Sequence, residues 1–338
     1  MIKIAVVILN WNGQKLLEKF LPSVVKYSNN EDVEIIIADN CSSDESVKFL
    51  KTNYPDLRTI VLDKNYGFAG GYNKCLQQID AEYFVLLNSD VEVTDNWIDP
   101  VIKLLDSDRT IGAAMPKIKA YNKKKDFEYA GAAGGFIDKY GFPFCRGRIF
   151  DSIEQDQGQY DNDTEIFWAT GAALFVRSDL YLKIGGLDED FFAHMEEIDL
   201  CWRMKNMGYK IMFASKSTVY HVGGASLSKV NPFKTYLNFR NNLFLLLKNL
   251  PPERLNGIMF RRFIFDKIAA VKFLVCFEFG NFWAVIKAYY MFFAMRKTFL
   301  KKRKKLVLEF NIFYHKEMYD GSIVIDYFIK KIKKFRPF

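Results

Sequence analysis

Over the first 110 positions, short apolar runs alternate with segments whose apolar residues recur at helical spacing. Residues 2–9 form a β-rich apolar run that stops at Asn10-Trp11-Asn12-Gly13, a turn cluster. In the segment 14–27, Leu16, Leu17, Phe20, Leu21, Val24 and Val25 then mark one helix face. The pattern repeats. Buried strands are predicted at 33–38, 59–62 and 83–87, and helices at 45–53, where Ser42, Ser43 and Asp44 offer N-caps, and at 69–78. Strands separated by helices of about ten residues predict βαβ units and a mostly parallel sheet. In open α/β sheets a ligand lies at the carboxyl ends of the strands. Three of these four strands end in Asn or Asp clusters: Asn10, Asp39-Asn40 and Asn88-Ser89-Asp90.

Residues 115–165 carry Gly-rich and Lys-rich stretches that predict an irregular sheet extension or a flap. Beyond them the pattern predicts a buried strand at 167–176, a short helix at 180–184 and a helix at 196–207. Acids lead that last helix, cations follow and Gly208 stops it, as the helix dipole favours. Short strands at 210–213 and 218–220 precede His221. An apolar helix at 233–250 ends at Pro251-Pro252, and a second apolar segment runs from 261 to 299. Its longest charge-free stretches, 279–286 and 288–295, fall well below the ~18–20 residues needed to cross a bilayer.

Charge divides the chain. From Lys229 onward there are 23 Lys and Arg against 7 Asp and Glu, whereas residues 1–228 hold 25 basic and 33 acidic residues. The expected organisation is an acidic soluble body, 1–228, and a helical, basic, aromatic extension, 229–338. With Arg261-Arg262, Arg296-Lys297 and residues 301–305 flanking apolar helices, that extension is expected to lie on an anionic membrane surface. A dimer core with a basic rim is the alternative. Nucleic acid is disfavoured, because the cations interleave with Phe runs instead of lining an open groove. The five cysteines are odd in number and form no CxxC pair, which argues against a disulfide framework or a zinc site and fits a reducing cytosol.

Four phrases carry candidate chemistry. Asp90, just past a strand, suits a hard divalent cation. Glu196 and Glu197 lie among Phe191, Phe192, Met195 and Ile198; a carboxylate half-buried there would have the raised pKa of a general base. His221 meets Val222-Gly223-Gly224, where a phosphate or metal can approach closely. The segment Asn65-Tyr66-Gly67-Phe68-Ala69-Gly70-Gly71 lacks G-x-G-x-x-G spacing, which argues against a dinucleotide oxidoreductase.

Taken in order, Asn10-Trp-Asn-Gly, Asp39-Asn-Cys-Ser-Ser-Asp44, Asn65-Tyr-Gly-Phe with Asn73, Leu87-Asn-Ser-Asp90, Ala169-Thr-Gly-Ala, Glu196-Glu-Ile-Asp-Leu-Cys-Trp-Arg203 and His221-Val-Gly-Gly resemble the family-2 glycosyltransferases, in particular their bacterial rhamnosyltransferase-like branch. The resemblance covers roughly residues 1–245. It implies a GT-A fold (α/β, mostly parallel central sheet), a nucleotide-sugar donor and a divalent metal, Mg²⁺ or Mn²⁺. Asn10, Asp39, Asn65, Gly67, Asn73, Asn88 and Asp90 would then lie on the donor side, with Asp39 at the nucleobase and Asp90 and His221 at the metal. Glu197 would be the base, with Glu196 second, and Trp168 and Gly171 would line the acceptor side. Two departures stand out. Asn88 replaces the first carboxylate of a DxD-type motif, and Glu197 stands where Asp is commoner. The implied reaction is an inverting transfer to a glycan or polyprenyl-diphosphate-linked acceptor at the cytoplasmic face of the membrane. The competing class is a non-catalytic, membrane-associated nucleotide-sugar binder.

Overall fold

Hydrophobic β-branched runs and amphipathic helices assemble into a layered α/β body. The computed structural model describes residues 2–223 and 231–338. The predicted boundary at 228/229 and the glycine at 224 lie outside the described residues.

The first half winds β1 (Ile2–Asn10), α1 (Gln14–Tyr27), β2 (Val33–Asp39), α2 (Ser46–Asn53), β3 (Arg58–Val61), α3 (Gly67–Leu76), β4 (Ala81–Asn88), β5 (Val91–Val93), α4 (Asp99–Ser107), β6 (Ile111–Ala120) and β7 (Lys123–Phe127). Next come β8 (Gly135–Asp138), β9 (Pro143–Cys145), β10 (Arg148–Ile149), β11 (Ser152–Ile153), β12 (Thr164–Ile166), β13 (Ala173–Arg177) and α5 (Ser178–Lys183). A 3₁₀ turn at Glu189–Phe191 precedes α6 (Glu196–Asn206) and β14 (Lys210–His221). The C-terminal part holds α7 (Pro232–Asn249), α8 (Pro252–Val275), α9 (Phe279–Leu306), β15 (Met318–Tyr319) and α10 (Ile323–Phe328).

Among the described residues the main sheet runs β12-β14-β6-β13-β4-β1-β2-β3, with β5 on β14 and β7 on β6. β1 to β4 pair in parallel, while β13 enters antiparallel between β4 and β6. The sheet order places the carboxyl ends of β1, β2, β4, β6 and β14 on one edge. A small second sheet, β11-β10-β9-β8-β15, takes its last strand from the C-terminal part of the chain.

Several expectations are corrected. Residues 167–176 are not one strand: Trp168 makes an isolated bridge to Gly135, and the main-sheet strand is Ala173–Arg177. Of the two expectations for 115–165 the sheet extension holds and the flap does not: the stretch opens with the end of β6, a buried inner strand, and continues as β7 to β12. The two short strands before His221 are one strand, Lys210–His221, whose register shifts between Ala214 and Thr218. The segment 261–299 is shared by two helices, which meet at Phe277 with φ 59°.

One hydrophobic core runs from β1 through α6 into α7, α8 and α9. Polar contacts reinforce that junction. Buried Lys248 donates to Asp188 Oδ2 (2.6 Å) and Asp199 Oδ2 (2.8 Å), and Asn249 Nδ2 donates to Asp199 Oδ1 (2.9 Å). Part of the C-terminal positive charge is therefore directed inward, onto the acidic 188–199 segment.

Candidate functional site

The floor of the site is the stitched ends of β1 and β2. Asn10 is fully buried; its Nδ2 donates to Asp39 Oδ2 (3.0 Å) and Ser42 Oγ (3.2 Å). Asp39 Oδ1 accepts the Ser42 N–H (2.8 Å). Asn12 (φ 50°) and Cys41 (φ 62°) take left-handed backbone to make this tight crossing. The frame extends to the next loop. Asn40 Nδ2 donates to Asn65 Oδ1 (3.0 Å) and Gly67 O (2.9 Å), and Asn40 Oδ1 accepts from Tyr66 N–H (2.9 Å). Gly67 sits at φ +71°, and a Cβ there would press on the Phe192 ring at 3.3 Å. Asn10, Asp39, Asn65 and Gly67 are thus brought together. Both oxygens of Asp39 already hold the turn.

Asn73 points elsewhere. Its Nδ2 donates to Leu187 O (2.8 Å) and Glu189 Oε1 (3.2 Å), and its Oδ1 accepts from Tyr181 OH (2.7 Å) and Leu187 N–H (3.0 Å). With its amide fully engaged, it latches α3 to the 181–189 segment and has no capacity left for a donor. Trp168 also differs from expectation. It is buried, its Nε1 donates to Phe136 O (2.8 Å), and it bridges to Gly135 of the small sheet. A Cβ at Gly135 would lie 2.1 Å from its ring, so the Trp is clamped as core and offers no face for stacking a sugar.

On the rim, β5 pairs antiparallel with β14 and sets Val91 opposite His221. Val222 N–H donates to Asp90 O (3.2 Å), and His221 Nε2 lies 3.1 Å from Asp90 Oδ1. The other ring nitrogen, Nδ1, is 3.4 Å from Glu128 Oε2, a longer ion-pair contact. Burial pushes the His221 pKa down, but the two flanking carboxylates outweigh it and hold the ring up at about 10. Glu128 is a site residue that sequence reasoning missed. It lies in the stretch with no readable period, and only β6–β7 pairing carries it to His221.

Across the site, six acids crowd the 188–199 segment, and the structure sorts them. Asp188, Asp190 and Asp199 are neutralised by Lys248, Lys302 and Arg203. Glu189 accepts from Asn73. Glu196 and Glu197 have no ion-pair partner among the described residues, and the Oε2 of each is buried without a hydrogen bond. Burial pushes the Glu197 pKa up to about 7, opposed by backbone N–H groups at the head of α6. Burial, with Glu197 beside it, raises Glu196 well above the usual carboxylate range. Both carboxyls therefore hold a proton more tightly than a free carboxylate does, Glu196 with the added push of its neighbour's charge.

The backbone presenting this pair is strained: Phe192 (φ 67°), His194 (φ 69°) and Met195 (φ 74°) all adopt left-handed geometry. Two residues of α7 hold it. Fully buried Asn241 directs Nδ2 at Phe191 O (2.9 Å), Ala193 O (2.8 Å) and His194 O (2.8 Å). Arg240 donates to Asp190 O (3.1 Å) and Phe191 O (2.9 Å). The sequence signal for this role is weak, since both residues lie inside an ordinary apolar helix.

The two clusters meet around Gly171. A Cβ on Gly171 would touch Glu197 Cβ (3.9 Å) and the Phe68 ring (3.5 Å), while the next residue, Ala172, accepts from Asn88 N–H (3.0 Å). The strand end bearing Asn88 and Asp90 therefore lies against one side of this short segment and the base candidate against the other.

Among the described residues no group of three or more His, Cys, Asp or Glu can hold a metal. Asp90 offers one carboxylate, the His221 ring can add a nitrogen only on releasing the proton that its two carboxylate neighbours favour, and Asn88 adds no charge. Mg²⁺ characteristically takes one or two carboxylates and completes its shell with phosphate oxygens and water. The pair fits a cation that arrives with a diphosphate, not a standing metal centre.

The glycosyl transferase family 2 model matches residues 5–178. The N-acetylglucosaminyl-diphospho-decaprenol L-rhamnosyltransferase of Mycobacterium tuberculosis is 24% identical over 232 residues, 64% of this chain and 75% of that protein. Rhamnosyltransferase WbbL of Escherichia coli K12 is 21% identical over 64% of this chain and 82% of that protein. The Pyrobaculum calidifontis mannosyltransferase PcManGT, solved with GDP-Man and Mn²⁺, superposes with a TM-score of 0.52 at 13% identity, covering 91% of this chain and 85% of that chain. That likeness concerns the fold, which is GT-A-like. With the family model spanning more than half of the sequence, the chain belongs to glycosyl transferase family 2 and is a glycosyltransferase.

Proposed function

We propose that this enzyme moves a sugar from a nucleoside-diphosphate donor, dTDP-rhamnose or a UDP-sugar, to a hydroxyl of a glycan or polyprenyl-diphosphate-linked acceptor, inverting the anomeric centre. The observation that carries this reading is the unpaired Glu196–Glu197 couple. It is buried at the head of α6, and the segment around Gly171 joins it to the Asp90 strand end. The rhamnosyltransferase names of two relatives favour the rhamnose donor, and the mycobacterial name favours a lipid-linked acceptor.

In the proposed step, Glu197 accepts the acceptor hydroxyl proton as that oxygen bonds to the anomeric carbon. The bond from that carbon to the diphosphate breaks on the opposite face. The raised proton affinity of Glu196 disfavours a second negative charge beside its neighbour. Asp90 would hold a divalent cation, Mg²⁺ or Mn²⁺, joined by the His221 ring once the cation has displaced its proton, and that cation would supply Lewis-acid stabilisation of the leaving nucleoside diphosphate. The Asn10–Asp39–Asn65 frame shapes the donor floor, and Glu128 keeps the His221 ring turned toward Asp90.

The test is a transfer assay with dTDP-rhamnose and UDP-, GDP-linked hexoses against a short-chain polyprenyl-diphosphate glycan. Turnover with one donor class supports the reading. Tight donor binding without turnover, unaltered in Glu197→Gln, would replace it with the non-catalytic binder.

The strained loop makes a separate prediction. Asn241→Asp is isosteric but turns an oxygen toward three carbonyls. We expect kcat to fall by ~10–100-fold, in line with ångström-scale misplacement of a catalytic group. The KM for donor should change little, because the donor floor lies on other elements. An unchanged kcat in a folded variant would show that α7 does not position the base.

A further inference from the structure

Helix α8 turns an ion pair inward and apolar side chains outward, while α9 is apolar on both sides. The side of α8 packed on the body carries Ile258, Arg262, Asp266 and Ala270, one every fourth residue. Its charges are fully engaged there: Arg262 Nε donates to Asp266 Oδ1 (2.8 Å), Tyr289 OH donates to Asp266 Oδ2 (2.8 Å), and the guanidinium stacks on Phe142 at 3.9 Å. Outward, Phe260, Ile264, Ile268, Val271 and Val275 follow one another at helical spacing, all exposed. On α9, Phe279, Trp283, Ile286 and Tyr290 do the same. The connecting turn projects Phe277, 79% exposed, at φ 59°. Exposed apolar rows on two neighbouring helices, with an ion pair on the inner side of one of them, call for an apolar medium on the outer face.

Charge identifies the medium. Arg261, Lys267, Lys272, Lys287, Arg296 and Lys297 are exposed on the same two helices. Between residues 261 and 305 the one exposed acid is Glu278, and its Oε2 accepts from Asn281 Nδ2 (2.6 Å). A second copy docked on this face would set like cations against like, since a two-fold interface pairs a patch with itself. An anionic bilayer offers hydrocarbon for the aliphatic and Phe side chains, headgroup depth for Trp283 and Tyr290, and negative charge for the cations. No described helix is long and apolar enough to cross a membrane.

We propose that the outward face of the α8–α9 hairpin, led by the Phe277 turn, docks in the plane of an anionic membrane, while α7 stays inside the protein. This goes beyond the transfer reaction and does not depend on which donor or acceptor is used. It also gives α7 two neighbours of different kinds: it packs on α9, where Phe244 stacks on Phe299 at 3.7 Å, and it holds the loop that presents Glu197.

The test is co-sedimentation of the full chain with vesicles of phosphatidylcholine alone and of phosphatidylcholine mixed with phosphatidylglycerol. The wild type should pellet with the anionic vesicles and be released by salt. Ile268→Asp with Trp283→Asp should weaken pelleting at least tenfold while thermal unfolding stays cooperative. Arg296→Glu with Lys297→Glu, which leaves the apolar face intact, should reduce pelleting on anionic vesicles only. Absence of pelleting, or equal pelleting of wild type and both variants, would overturn the proposal. So would a wild-type dimer in sedimentation velocity that Trp283→Asp dissolves, which would assign the face to a second copy.

Discussion

Glu197→Gln is expected to lower kcat by ~10²–10⁴-fold, the range a positioned general base supplies. Glu196→Gln should stay within several-fold of wild type. The difference follows from environment, since the two side chains are adjacent on one helix turn. Burial and the neighbouring carboxylate favour the protonated form of Glu196, and an amide there imitates that form. Glu197 titrates near 7, and an amide removes the form that accepts a proton. The pH profile carries the same sign. A base must be ionised, so kcat/KM should rise about tenfold per unit below pH 7 and level off above it, with an apparent pKa belonging to the coupled pair. Stability moves the opposite way. The folded carboxyl holds its proton more tightly than the unfolded one, so ionising Glu197 costs stability that is lost between roughly pH 4.3, the unfolded value, and about 7. Glu197→Gln lacks that loss and should melt above wild type at pH 8. A reversed ranking, with Glu196→Gln inactive and Glu197→Gln active, would move the base by one residue.

Asp90→Asn is expected to abolish metal-dependent donor binding. A nucleoside diphosphate at ~100 times its dissociation constant stabilises a protein by ~2.7 kcal/mol, enough to read as a thermal shift of several degrees. UDP, dTDP and GDP, each with and without Mn²⁺, should produce that shift with one nucleotide in the wild type. Asp90 is the only carboxylate on the 88–90 strand end, because Asn88 is neutral. The variant retains shape and loses the charge, so the Mn²⁺-dependent part should vanish. His221 would also lose the closer of its two carboxylates, leaving Glu128 at 3.4 Å. A full shift in Asp90→Asn would place the cation elsewhere, and no shift with any nucleotide would undercut the donor site itself.

The β1–β4 half of the fold was legible because each element there is local. Buried strands read as unbroken apolar runs, α1 reads as one amphipathic face, and Asn and Asp mark the strand ends. The helix over 14–27 agrees with α1 to the residue. Strand β6 was not legible as the inner strand it is, since its Lys and Pro residues interrupt the apolar pattern that its neighbours impose. Trp168 and Asn73 were placed near the ligand because residue type and motif position allow it. Their actual contacts, Phe136 and Leu187, lie 32 and 114 residues away.

By itself, then, the sequence determined the α/β class, the ordered motifs of a family-2 glycosyltransferase and a shortlist holding Asp90, Glu196, Glu197 and His221. Tertiary structure alone decided which acids remain without partners. Asp188, Asp190 and Asp199 resemble Glu196 and Glu197 in composition, yet Lys248, Lys302 and Arg203 neutralise them. It also decided that Glu128 meets His221, and that Asn241 holds the strained loop. The physical reason is common to all three. A carboxylate's proton affinity and a loop's geometry depend on charges and donors within a few ångströms, and folding brings those from distant parts of the chain.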